Sequence, residues 1–142
     1  MAGLHKYAGQ KVRQRGSSPK FQALNSAFIT SQSELSFDQS RGDRAYWGRL
    51  VESAVGAHLC NGSVIEGATI SYWRQEEREV DFIAQKGRSV VAIEVKSGHA
   101  EDAASGLKYF SRHFPRARPL TVGTGGIPLE QFLSRPMSSW IA

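Results

Sequence analysis

The sequence predicts an α/β domain: one mixed sheet built on a three-stranded antiparallel meander, with flanking helices, in the order α-β-β-β-α-β. Three observations predict it. Apolar residues recur at helical spacing after Asp43. Three runs rich in β-branched and aromatic residues follow at 68–73, 79–84 and 90–95, joined by short polar links at 75–78 and 85–88. A second helical stretch at 102–113 then leads to a short strand at 120–122. One sheet flanked by helices is the economical way to bury such elements.

In chain order, residues 1–20 lack clear periodicity, and Gly16-Ser17-Ser18-Pro19 reads as a loop. Phe21, Leu24, Phe28 and Ile29 predict a short helix over about 20–31. Residues 1–35 are expected to be a basic N-terminal appendage, and residues 36–142 the domain. Asp43 is placed to cap a helix whose apolar residues are Trp47, Leu50, Val51, Ala54, Val55 and Leu59, and Asn61-Gly62 is its expected stop. Pro115 ends the second helix, and Gly123-Thr124-Gly125-Gly126 is expected to be a turn. Leu129, Phe132, Leu133 and Trp140 are available to cover the core.

Composition narrows the function classes. No run approaches the ~18 apolar residues of a membrane span, and the first sixteen residues hold no apolar stretch of signal-peptide type. Cys60 is the only cysteine, which excludes an internal disulfide and a cysteine metal knuckle; a reducing cytoplasm is the expected compartment. The net charge of +5 is uneven. Residues 1–33 carry Lys6, Lys11, Arg13, Arg15, Lys20 and no acid, while the remaining 13 basic residues balance all 13 acids. Such a basic segment suits nucleic acid or an acidic partner surface, or is a solvated connector.

The chemistry concentrates in Ile93-Glu94-Val95-Lys96. Two apart on a strand, Glu94 and Lys96 share one face, and Val91, Ile93 and Val95 take the other. A carboxylate and an ammonium on a central strand are costly to bury unless they pair or bind something. Asp81 repeats the theme on the preceding strand, one acid among Val80, Phe82 and Ile83. If the meander is in register, Asp81 and Glu94 approach closely, and a divalent cation would relieve their repulsion. Oxygen ligands favour Mg²⁺ or Mn²⁺ over zinc. Lys96 would then position or deprotonate a water, or stabilise charge on a phosphate. Glu52 lies at the border of the first helix's apolar face, between Gly48 and Gly56, whose missing side chains let the helix approach the sheet. The structural alternatives are a buried ion pair that fixes strand register and an exposed Glu52.

Asp81, then Glu94-Val95-Lys96 with twelve residues between, in α-β-β-β-α-β order, resembles the PD-(D/E)XK nuclease superfamily. Val80 stands where that superfamily often has proline. The resemblance implies a restriction-endonuclease-like fold in which Asp81 and Glu94 bind magnesium, Lys96 assists the attacking water, and Glu52 adds a ligand. A longer match is carried by Arg15-Gly16-Ser17-Ser18-Pro19-Lys20, Gly48-Arg49-Leu50-Val51-Glu52, Tyr72-Trp73-Arg74, Glu79-Val80-Asp81-Phe82 and Ile93-Glu94-Val95-Lys96-Ser97-Gly98. These runs are similar to the C-terminal domain of unknown function of prokaryotic AAA-type ATP-binding proteins. That likeness implies an ATPase partner module joined through a winged-helix-like segment, whose end residues 1–35 would be. The chain contains no G-x-x-x-x-G-K-[ST] sequence, so the expectation is a fragment of a longer protein or a truncated reading frame.

The expected function is that of a metal-dependent nuclease-like domain hydrolysing DNA phosphodiester bonds. The alternatives are a non-catalytic nuclease-fold binding or regulatory module with a vestigial site, and a DNA-binding module using the basic N-terminal segment. Lesser candidates are His99 at a site rim, Lys108 and Tyr109 toward a phosphate, and a basic edge of Arg112, His113, Arg116 and Arg118. Solvated surface is the ordinary role for each. Trp73 offers a stacking face, though a strand tryptophan is more often core.

Overall fold

The structure, a computed structural model, describes residues 1–9, 18–98 and 104–142. Its elements are β1 (Ala2–Lys6), β2 (Lys20–Gln22), α1 (Ala27–Thr30), α2 (Phe37–Gly42), α3 (Arg44–Glu66), β3 (Thr69–Gln75), β4 (Arg78–Lys86), β5 (Ser89–Lys96), α4 (Ala104–His113), β6 (Arg118–Gly123), α5 (Leu129–Leu133) and α6 (Ser138–Ile141). Among the described residues, no helix is long and apolar enough to cross a membrane.

The meander forms as its polar links require. β3 pairs antiparallel with β4, and β4 with β5. α4 then carries the chain across one face so that β6 lies parallel to β5, as a parallel pair demands a crossover. The mixed sheet has six strands in the order β2-β1-β3-β4-β5-β6. Two apolar layers fill its faces. One joins Val55, Leu59 and Cys60 of α3 to Phe82, Val91 and Ile93, with Phe132, Met137 and Trp140 closing it. The other joins Phe110 of α4 to Trp73, Val80, Ile83 and Ala92. Trp73 is therefore core, and the C-terminal piece covers the sheet as expected.

Three expectations are corrected. The segment 20–31 is not one helix: residues 20–22 are β2, and only Ala27–Thr30 is helical. Its apolar spacing marks no buried face, since Phe21 and Phe28 are both 73% exposed. Gln22 is instead buried, and its amide donates to the Ser53 carbonyl at 3.0 Å. Residues 1–35, read as an appendage, supply two sheet strands and Leu4 to the core. β1 is five residues and β2 three, too short to display a period, and β1 takes its strand form on the edge of β3. Finally, α3 starts on the Asp43 cap, whose carboxylate accepts the Tyr46 N–H, but runs past Asn61-Gly62 to Gly67. A Cβ at Gly62 would sit 3.0 Å from the Met137 Cβ, so that glycine serves packing within the helix. Gly67, at φ 66°, ψ 35°, is the left-handed C-cap.

Candidate active site

α3 is pulled onto the sheet at Gly56, where a Cβ would fall 2.2 Å from the Gln22 Oε1 and 2.7 Å from the Phe82 Cζ. One turn earlier, this approach sets Glu52 beside the start of β2. The Lys20 ammonium donates to the Glu52 Oε1 at 2.7 Å and to the Glu79 Oε1 at 2.9 Å. Glu79 also accepts Arg74. Burial alone would raise the Glu79 carboxyl, but the hydrogen bonds from Lys20 and Arg74 hold it below the usual range. Burial likewise opposes the Lys20 charge, and the two carboxylates raise it in spite of that.

Asp81 lies where β4 departs from regular pairing. β4 residues Ile83 and Val80 face Ser71 and Trp73, so three steps of β4 match two of β3, a bulge beside Asp81 and Phe82. On the other side, the β4–β5 pairs run from Lys86↔Ser89 to Phe82↔Ile93 and stop. One position further on, the Val95 N–H donates to the Asp81 Oδ2 at 2.8 Å, a side chain replacing the ladder carbonyl. Burial, then the charge of Glu52 and, less, that of Glu94 push the Asp81 carboxyl up to about 7; the Val95 N–H and Lys20 oppose this without cancelling it.

Glu94 and Lys96 do share one face, away from Ile93. Glu94 is 8% exposed, and its carboxylate accepts the Lys96 ammonium. Both line a cavity of about 580 Å³ with Leu107, Lys108, Ser111 and Arg112 of α4 and Thr121 of β6. Of the four expected site residues, only Glu94 and Lys96 pair with each other. Glu52 is held with Lys20 on the α3 side, Glu94 with Lys96 under α4, and Asp81 at the open end of the hairpin feels both acids. Among the described residues, no group of three or more His, Cys, Asp or Glu side chains is gathered into a metal cage. With ammonium groups at hand, Glu52 and Glu94 pair with those instead. The donor chemistry nevertheless suits a hard cation: all the donors are carboxylate oxygens, and Asp81 carries more negative field than its neighbours compensate.

Lys20 and Glu79 were missed as members of this cluster. Lys20 lay in the basic run of the N-terminal segment, 32 residues from Glu52, and no local spacing links them. Arg41 and Arg44, beside the end of β5, were also missed. His99, the Lys11, Arg13 and Arg15 positions and the expected start of α4 at Asp102 lie outside the described residues.

No curated protein matches the chain, and no solved structure does. A family described as Domain of unknown function (DUF4143) matches residues 47–131. That span runs from the first turns of α3 through the meander and α4 into α5, and it contains Glu52, Asp81, Glu94 and Lys96. Matching more than half of its length, the chain belongs to the DUF4143 family of domains of unknown function.

Proposed function

We propose that this domain is a metal-dependent phosphodiesterase acting on DNA, of the restriction-endonuclease-like type, that works as part of a larger AAA-type ATPase protein. The observation that carries the reading is the open end of the β4–β5 hairpin. There the ladder gives way to Asp81, and Glu94 and Lys96 face a cavity from the next strand. The ATPase association rests on the sequence resemblance alone.

In this reading Asp81 and Glu94 would hold Mg²⁺ or Mn²⁺, and Glu52 would be a further ligand in place of its bond to Lys20. The ion would polarise the phosphate and lower the pKa of an attacking water. Asp81 is held in place by the Val95 N–H, which also favours its charged form. Lys96, kept in the cavity by Glu94, orients the water by hydrogen bonding and stabilises negative charge growing on the phosphate oxygens. A second reading, a non-catalytic module with a vestigial site, is favoured by the ion pairs of Lys20 and Lys96, which already neutralise two of the three acids.

Nicking of supercoiled DNA separates the two. The purified chain with Mn²⁺ should nick slowly, and Lys96→Ala and Asp81→Asn should each lower the rate by roughly a hundredfold or more while leaving the circular dichroism spectrum unchanged. Activity that survives both substitutions, or none in the wild type at millimolar Mn²⁺, favours the vestigial module.

A further inference from the structure

A second cavity, of about 430 Å³, adjoins the first and is lined by Arg41, Arg44, Trp47, Ser97, Gly98 and Thr124. Thr124 lines both cavities, and the chain leaving β5 joins them, Lys96 at the strand end lining one and Ser97 just beyond it the other. The helix is close because Gly48 allows it: a Cβ there would lie 3.2 Å from the Ser97 Oγ. The first turns of α3 therefore set Arg44 and Trp47 against the end of the strand that carries Glu94 and Lys96.

The charges are sorted in space although the sequence from residue 34 onward is neutral. Arg41 and Arg44 line one cavity and Lys96, Lys108 and Arg112 the other, where, among the described residues, Glu94 supplies the one carboxylate. Among the described residues, Arg41, Arg44, Lys108 and Arg112 make no ion pair, whereas Arg74 and Arg78 each have one. Arg41 lies over the rings of Phe37, at 5.9 Å, and Trp47, at 6.0 Å, which meet edge to face, so the Trp47 indole borders the guanidinium. Guanidinium forks and hydroxyl donors match phosphate oxygens, and an aromatic face accepts a base without regard to its identity.

We infer that the Arg41–Arg44–Trp47 cavity is a phosphodiester-binding subsite that guides a polynucleotide strand into the Glu94–Lys96 pocket. The direction of the strand rests on the catalytic reading above; the binding itself does not. The two guanidinium groups hold the phosphates next along the strand on one side of the one at Lys96, and Trp47 stacks on an unpaired base. The far end of the track is the Lys108–Arg112 face of α4, one turn apart on one side of the helix.

The test is fluorescence anisotropy with fluorescein-labelled single-stranded and duplex oligonucleotides, in EDTA so that no cleavage occurs. The double substitution Arg41→Ala/Arg44→Ala should bind the preferred oligonucleotide roughly tenfold more weakly. Its salt slope should be shallower by about 1.4 on a single strand or about 1.8 on duplex, the loss of two phosphate contacts. Lys86→Ala/Arg88→Ala, at the opposite end of the hairpin, should bind nearly as the wild type does. Equal weakening by both pairs, or none by the first, overturns the subsite. So does displacement of the oligonucleotide by poly-glutamate of equal charge, which would assign the surface to acidic protein. Asp81→Asn should retain binding. If the wild type never cleaves yet Arg41→Ala/Arg44→Ala loses binding, the subsite stands and the catalytic reading falls. Cleavage and binding both unchanged in that variant would mean the reverse.

Discussion

Beyond its polar turn, the paired length of the β4–β5 hairpin is ladder with an apolar middle. From Lys86↔Ser89 to Phe82↔Ile93 every step is paired, and Phe82, Ile83, Ala84, Val91, Ala92 and Ile93 are all fully buried. At its other end, one residue beyond Phe82, the pairs cease, a carboxylate takes the Val95 N–H, and acids with their lysines occupy both faces. The same two strands thus hold the fold at one end and unresolved charge at the other. Burial of apolar surface accounts for the first. The second has no stabilising role of comparable size, because buried ion pairs roughly cancel their own desolvation. The ion pairs at this end therefore add little to stability, and the proposed cation site is what would give its acids a role.

Substitutions at the two ends should differ accordingly. Phe82→Ala, in the paired end, should cost about 3–5 kcal/mol of unfolding free energy, read by urea denaturation, because it opens a cavity in a fully buried layer. Asp81→Asn should act in the opposite sense. Asp81 titrates near 7 in the folded chain against 3.8 in the unfolded one, so the folded state favours the protonated form. Its stabilising contribution is complete below about 3.8, declines as pH rises, and is gone above 7. In chelator, the variant should therefore match the wild type at low pH and exceed it by about 2–4 kcal/mol at pH 8. A wild type that stays the more stable at pH 8 would show that the open end carries no excess charge.

Much of this hairpin was legible in advance. The polar links at 75–78 and 85–88 demanded a meander, Asp43 announced the start of α3, and the two-residue spacing of Glu94 and Lys96 put them on one face. What local patterns did not reveal came from distance along the chain. β1 takes its strand form on the edge of β3, and β2 on the edge of β1. Lys20 reaches Glu52 and Glu79 from 32 and 59 residues away. The bulge beside Asp81 is a matter of register between strands, and alternation read along β4 alone cannot show it. The pairing of Glu52 with Lys20 also escaped the sequence, because a spacing argument counts ligands and does not see a competing cation from a distant segment.

Smaller effects follow from these long-range features. Lys20→Ala should cost roughly 1–2 kcal/mol in thermal or urea unfolding, since it leaves Glu52 and Glu79 half-buried with one partner fewer. It should also raise the Asp81 pKa further, which a carbon-13 NMR titration of the carboxyl would read. Gly67→Ala, remote from the charged end, should cost about 1 kcal/mol because alanine resists the left-handed cap, with no change in the Asp81 titration.

The claim that the open end of the hairpin is a live cation site meets its most direct test in calorimetric titration of Mn²⁺ into the wild type and Asp81→Asn at pH 7. Binding in the wild type, accompanied by proton release from Asp81 and lost in the variant, is the expected result. No heat of binding in the wild type at millimolar Mn²⁺, or equal binding by Asp81→Asn, would contradict it.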